Sequence, residues 1–184
     1  MAHFSLIGIQ AIDPGGRKVT LPRSARRRFS RSIQRILRET SLCSIATLTP
    51  GGYPHINTAY FAVSEGFELY FLSHPGSRHC RNLSKFPSAA VTVFSSGQRW
   101  TAPGRGLQLF GRCAQARGRH ADAAEQAYGK RFPAHARWKA ALEGDSPARA
   151  YPFYRFVVSA LKILDERTFG DGVFVSARVG RRRR

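Results

Sequence analysis

Acidic residues are scarce in this chain: 11 Asp and Glu face 30 Lys and Arg among 184 residues, a formal charge of +19 at neutral pH. From Leu69 to Ala121 there is no acid at all. No pair of carboxylates suited to acid–base work and no Ser-His-Asp arrangement stands out, so no catalytic side chain is nominated. Cysteine is equally sparse. Cys43, Cys80 and Cys113 form no Cys-x-x-Cys pair and no zinc spacing, and an odd, scattered set reads as reduced thiols in a cytoplasm. His74 and His79, five apart with no nearby carboxylate, make a poor metal set, and no metal is expected. Long apolar runs are missing too, since none approaches the roughly 20 residues that cross a bilayer. The longest near the start, Phe4 to Ile12, is broken by Ser5, Gly8 and Gln10. It has no basic segment before it and no small-x-small site after it, so neither a signal peptide nor a membrane partner is expected.

What is present suits one folded domain. The apolar share of 42% and mean hydropathy of −0.32 exclude wholesale disorder. The sequence divides into an extension at 1–23, a single domain at 24–180 and a basic tail at 181–184. The charge first suggests nucleic acid. Arg outnumbers Lys 25 to 5, however, a bias that a GC-rich coding sequence also produces. Residues 1–38 hold nine basic residues and one acid, Asp13, and the chain ends in four arginines that read as a frayed, solvated tail. The acid-free middle coincides with the most ordered-looking part of the sequence, which makes it the plausible seat of an anionic ligand.

Residues 24–40 place Phe29, Ile33, Ile36 and Leu37 on one stripe of a basic amphipathic helix, with Ser24 as its N-cap. A helix packing on the core is the simpler reading of that stripe; a nucleic-acid or membrane helix is the other. Strands follow at Leu42–Thr49, Pro54–Val63 and Phe67–Leu72, divided by Pro50-Gly51-Gly52 and Ser64-Glu65-Gly66. A short helix runs from Arg78 to Phe86, then come strands at Ala89–Phe94 and Gly106–Ala116 around a loop at 96–105. The stretch 120–143 is helical and split at Phe132-Pro133, with Trp138 assigned to core. Strands at Phe153–Leu164 and Val173–Val179 close the chain, and the acids at Asp165-Glu166 and Asp171 read as turn caps. Roughly seven short strands with a few helices predict a compact β-barrel, mainly β with helices (α+β).

The segment Ser73–Leu83, SHPGSRHCRNL, carries the most chemistry. It follows a strand, bends at Pro75-Gly76 and opens a helix near Ser77. The first turn of a helix offers unpaired N–H groups and a partial positive charge, a natural seat for phosphate. Ser73 and Ser77 add hydroxyls, Arg78 a fork-shaped cation, and His79 and Arg81 strengthen the field. The plainer alternative makes Ser77 an ordinary cap and the arginines solvated. Cys80 reads more simply as a buried, inert thiol than as a reactive one. Trp100, in the 96–105 loop, is placed to stack on a ring or cover the site.

These motifs in this order resemble the FMN-binding split-barrel family, the pyridoxamine 5′-phosphate oxidase-like proteins. The strand ending YFLS, the PGSRHCRNL loop-helix, FPSAAVTVF and RGLQLFG carry the resemblance, with CSIATLTPGGYPHINTAYF and KILDERTFGD at its flanks. It implies an antiparallel Greek-key split barrel, a homodimer with one FMN per subunit between protomers, and a cytoplasmic oxidoreductase exchanging hydride or electrons with a small-molecule substrate or electron donor. By position, phosphate contacts fall on Ser73, Ser77, Arg78 and His79. Asn57, Thr58 and Ala59 lie along the flavin, and Gln108 near the ribityl chain or ring edge. Where pyridoxamine-phosphate oxidases carry an Arg and a Lys this chain has Asn57 and Ala62, His79 replaces a Lys, and no substrate-binding Arg-His appears in 165–184. The resemblance is therefore to the superfamily and not to the oxidase itself. Deazaflavin and haem are alternative ligands, since related barrels use both. A basic nucleic-acid-binding barrel, with Phe67, Tyr70 and Phe71 as stacking aromatics, is the rival class, disfavoured because the basic residues concentrate at one turn.

Overall fold

Period-two alternation of buried and exposed residues builds a single antiparallel sheet that curls on itself. A computed structural model gives the structure of residues 4–142, 144 and 146–181. Its strands are β1 (Phe4–Ile12), β2 (Lys18–Val19), β3 (Leu42–Leu48), β4 (Pro54–Tyr60), β5 (Ala62–Val63), β6 (Glu68–Leu72), β7 (Ser88–Phe94), β8 (Arg105–Gln115), β9 (Phe153–Asp165) and β10 (Phe174–Arg181). The helices are α1 (Arg23–Glu39), α2 (Arg78–Lys85), α3 (Arg119–Arg131), α4 (His135–Ala141) and the single turn α5 (Glu166–Phe169). Among the described residues no helix is long and apolar enough to cross a membrane.

The strand path is β2-β1-β10-β9-β8-β7-β3-β4, with β6 joining β9 and carrying β5. One edge of β9 pairs with β8 along almost its whole length. Its other edge is shared, Phe153–Val157 facing β6 and Ala160–Leu164 facing β10. The far end of the path, β4, comes back close to β6 without pairing to it. The result is a barrel with one open seam, across which α2 lies against β3 and β4. The expected class, antiparallel strands in Greek-key order with several helices, is what forms.

Ile45, Val91, Val93, Leu107, Leu109, Phe156, Leu161 and Ile163 fill the barrel. Phe29, Ile33, Ile36 and Leu37 of α1 join the same core, each burial contributing about 1.5–3 kcal/mol. The helix is seated by Asp165, which is buried at the end of β9 and accepts from the Ser32 hydroxyl and, at 2.7 Å, from the Arg35 guanidinium. Asp165 therefore ties helix to sheet; it is not the surface turn cap that the sequence suggests.

At the chain ends one expectation changes, the helix cap, and the structure adds detail to the rest. Within residues 1–23, Phe4–Ile12 is no appendage: it is β1, antiparallel to β10, and Phe4 stacks on Phe67 with ring centroids 4.6 Å apart. Phe4, Leu6 and Ile9 pack against the core, which is why the segment docks. Ser24 lies inside α1, whose N-cap is Pro22 and whose start carries no side-chain cap. Arg181 ends β10, and Arg182–Arg184 lie outside the described residues.

A bulge bends β8 against β9. Phe110 faces Ala160 and Gly111 faces Val158, leaving Ser159 over, with its hydroxyl donating to the Phe110 carbonyl at 3.0 Å. At Gly111 the two backbones come so close that a Cβ would sit 2.1 Å from the Val157 carbonyl oxygen. Gly111→Ala is expected to lower stability by about 1–3 kcal/mol or more through overpacking, read as a shift in the urea midpoint. An unchanged midpoint would show that β9 yields freely at the bulge.

Candidate functional site at the seam

β6 leaves the barrel at Leu72, and the chain reverses through Ser73–Ser77 to enter α2. The Ser77 amide donates to the His74 carbonyl at 3.0 Å and the Gly76 amide to His74 Nδ1 at 3.1 Å. The Arg81 guanidinium reaches back to the Gly76 carbonyl, bracing the turn from the helix it precedes. Buried Asn82 fixes α2 across the seam, its Nδ2 donating to Thr47 Oγ1 of β3 at 3.1 Å. Sequence alone does not single out Asn82 or Thr47, because a lone Asn in a short helix carries no signal of what it faces.

Cys80 and Leu83 turn the other face of α2 into the core, so Cys80 is the buried thiol expected. All three cysteines are free and buried. Burial pushes the Cys43 thiol up to about 12 and raises that of Cys113 as well, so neither supplies a thiolate.

At the turn, Ser73 Oγ, Ser77 Oγ and His79 Nε2 converge. His79 lies 2.7 Å from Ser73 and 3.2 Å from Ser77, and the two hydroxyls are 3.3 Å apart. Ser77 makes no side-chain cap bond, so it leaves the first-turn N–H groups of α2 open to an outside acceptor. The His79 ring lies 6.3 Å from Phe71 and parallel to His55 at 6.4 Å. Burial holds its pKa below the ordinary histidine value, keeping the imidazole neutral. Asn57 is two residues from His55 on the same side of β4, and its buried Oδ1 has no hydrogen-bond partner among the described residues.

Arg78 is exposed and lies along a groove of about 540 Å³ on the outside of α2, lined also by Tyr53, His55, Arg81 and Lys85 and by no acid. Among the described residues the seam thus offers hydroxyls, a neutral imidazole, open helix N–H groups and an unpaired cation, with no carboxylate lining the groove.

Within a single chain the eight residues assigned from sequence are spread over both faces of the sheet. Ser73, Ser77 and His79 make one cluster, with Asn57 and Arg78 at its margins. Ala59 packs against the core. Thr58 points to the outer face of the sheet, because adjacent strand residues face opposite sides, while Asn57 and Ala59 face the other way. Register aligns Thr58, Ser44, Thr92 and Gln108 in a row over β4, β3, β7 and β8. Gln108 therefore lies about 14 Å from Thr58, three strand spacings away on that outer face. Large apolar side chains stand exposed there, including Ile56 at 65% and Phe110 at 43%, around a low centre of Ala46 and Ala90.

Two tryptophans and three strand aromatics also find their places. Trp100 is fully exposed in the β7–β8 loop. Trp138 is 44% exposed and stacks on His135 at 5.7 Å, so it is not the core residue expected; α4 turns only His135 inward. Phe67, Tyr70 and Phe71 are buried and have no face free for a nucleic-acid base.

Residues 29–162 match the family model of pyridoxamine 5′-phosphate oxidase. The chain belongs to that family. No curated protein matches it. Among solved structures, a haem-binding protein from Mycobacterium smegmatis is similar with 20% identity and a TM-score of 0.63, over 87% of this chain and 60% of that one. This chain thus spans under two thirds of that protein's length. The haem storage protein HutZ of Vibrio cholerae is similar at 17% identity and a TM-score of 0.55, over 78% of this chain and 92% of that one. A third is a Clostridium acetobutylicum protein of the pyridoxinephosphate oxidase family, related to general stress protein 26 of B. subtilis. It shows 12% identity and a TM-score of 0.59, over 82% of this chain and 94% of that one. At these identities the likeness is one of fold, the split barrel.

The neutral His79 has a measurable consequence. Between its lowered folded value and the usual value near 6.5, the unfolded chain binds a proton that the native site refuses. Stability should therefore fall as pH drops through about 6.5, and His79→Gln should flatten that slope. Denaturant titrations across this range read it; equal pH slopes in both proteins would mean that His79 titrates as in water.

Proposed function

We propose that the protein binds FMN at the seam as a homodimer and exchanges hydride or electrons with a small molecule in the cytoplasm. The observation that carries this reading is the convergence of Ser73, Ser77 and His79 on the uncapped start of α2, beside an Arg78 with no partner among the described residues. Such a set suits a phosphate monoester: it offers donors from several directions and no competing carboxylate. The partnerless Oδ1 of Asn57 suits a ligand that also carries hydroxyl or N–H donors. A bound flavin would supply the hydride and one-electron chemistry. The chain's own residues would hold the phosphate through the turn and Arg78, accept from a polar group at Asn57, and keep carboxylates away from the anion. Asn57 and Ala62, in place of the basic pair of the oxidases, speak against pyridoxamine phosphate as the substrate.

The positions of Thr58 and Gln108 support the homodimer reading. They face away from the turn of their own chain, on a sheet face whose exposed Ile56, Tyr60 and Phe110 surround small residues. A second copy packed there would cover that apolar surface and bring its own Gln108 toward the first copy's seam. Deazaflavin carries phosphate and would use the same turn. Haem is the second reading, favoured by the parallel His55 and His79 rings beside the seam.

The absorption spectrum of purified protein, before and after adding FMN, tests the assignment. Flavin bands support it; a Soret band, or protein that stays colourless with excess FMN, overturns it. Arg78→Ala should weaken FMN binding by about 1.5–3 kcal/mol, the scale of a hydrogen bond to a charged group, as read by flavin fluorescence titration. Ala90→Arg, at the centre of the outer face, should give a monomer by sedimentation that also fails to hold flavin. A monomer that binds FMN as tightly as the wild type would place the whole site within one chain.

A further inference from the structure

We infer that the exposed face of α1 binds the phosphate backbone of duplex nucleic acid. Arg23, Arg27, Arg31 and Arg38 are exposed and, with Gln34, fall on one line along the helix at spacings of four, four, three and four residues. Their positions span about 22 Å, fifteen residues at 1.5 Å rise, in a narrow stripe within about 80° of the helix circumference. None has an acidic or hydrogen-bonding partner among the described residues. The helix holds one acid, Glu39, and Arg105 occupies it at 2.5 Å.

The arrangement opposes the helix it decorates. Like charges at i, i+4 cost a few tenths of a kcal/mol per pair, and cations in the first turn face the positive end of the helix dipole. An anionic partner removes both penalties together. The chemistry of the face narrows the partner. A membrane-surface helix needs an apolar side to insert, but Phe29, Ile33, Ile36 and Leu37 are spent in the barrel core. A protein interface draws on aromatic and aliphatic anchors, and this stripe has none. A linear row of guanidinium forks with a single amide matches a linear row of phosphates, spaced 3.4 Å along the axis of each strand. Composition suggests nucleic acid, and the cations crowded at the phosphate turn argue against it. The structure puts a separate set of cations on a separate element, so the two ligands do not compete for the same residues.

The test is the salt dependence of binding to a mixed-sequence duplex of about 20 base pairs, followed by anisotropy, for wild type and for Arg27→Gln/Arg31→Gln/Arg38→Gln. Three lost phosphate contacts should make the slope of log Kobs against log salt shallower by about 2.7, and Arg31→Gln alone by about 0.9. All variants keep Arg181–Arg184, so the differences belong to α1. Glutamine supports a helix as well as arginine does, and circular dichroism checks that the fold persists. Equal slopes in wild type and triple variant overturn the inference. So does stronger binding to anionic lipid vesicles, lost in the triple variant, than to the duplex. Either result leaves the flavin reading untouched, because FMN titration of the same variants reports on the seam alone.

Discussion

The sharing of one strand edge sets the shape of this molecule. β9 is thirteen residues long, and β8 takes nearly all of one side of it. The other side is split between β6 and β10, so neither of these neighbours continues the barrel alone. That division leaves β4 as a free edge beside β6, where unpaired backbone groups would invite another chain. α2 covers the opening, and Asn82 bonded to Thr47 keeps it there. Elsewhere the barrel closes on aliphatic and aromatic side chains. The seam is the interruption, and polar groups on two elements collect at it.

Most buried polar groups among the described residues satisfy one another, which separates structural polarity from polarity turned toward a ligand. Asp165 has Ser32 and Arg35, with Arg35 Nε left over. Glu68 takes both arms of Arg155 and the Tyr70 hydroxyl, and burial, reinforced by that carboxylate, pushes Tyr70 up to about 12. These clusters hold elements together and leave little to offer. At the seam the bonding is different. The Ser73, Ser77 and His79 side chains bond among themselves, at a helix start they do not cap, and among the described residues Asn57 Oδ1 has no partner. A ligand phosphate could replace those mutual bonds without uncovering any buried charge.

The phosphate turn was legible because its chemistry is local: Ser, Pro-Gly, Ser and Arg within six residues state a bend, a helix start and a set of donors. The α1 stripe was legible for the same reason, since 3.6-residue periodicity is written in consecutive positions. The roles of Asp165 and Asn82 were not legible. Each is decided by a partner far along the chain, Ser32 and Arg35 for one and Thr47 for the other, and nothing near them in sequence announces it. Phe4–Ile12 falls in the same class, because its apolar positions look broken until β10 supplies a pairing edge. The split of Asn57, Thr58 and Ala59 between two faces was readable from strand alternation.

The excess charge can be sorted by what each arginine has to donate to. Acids are so few that carboxylates serve only some cations, as Asp165 serves Arg35, Glu68 serves Arg155 and Glu39 serves Arg105. Backbone carbonyls take others: Arg81 donates to Gly76, Arg131 to Thr40 and Arg149 to Leu142. Arg131 is also half-buried over the Phe61 ring, 5.6 Å from its centroid, so its charge is spent within the fold. A basic surface produced by coding bias alone would leave its remaining cations scattered. Here they include Arg78 beside the start of α2 and a row along α1, and the two surroundings differ in shape. The first borders hydroxyls and helix amides that converge, which suits a compact anion held from several sides. The second is a line without depth, able to neutralise a repeated charge but not to enclose a single one. The same excess of arginine therefore supports two anionic ligands of different geometry.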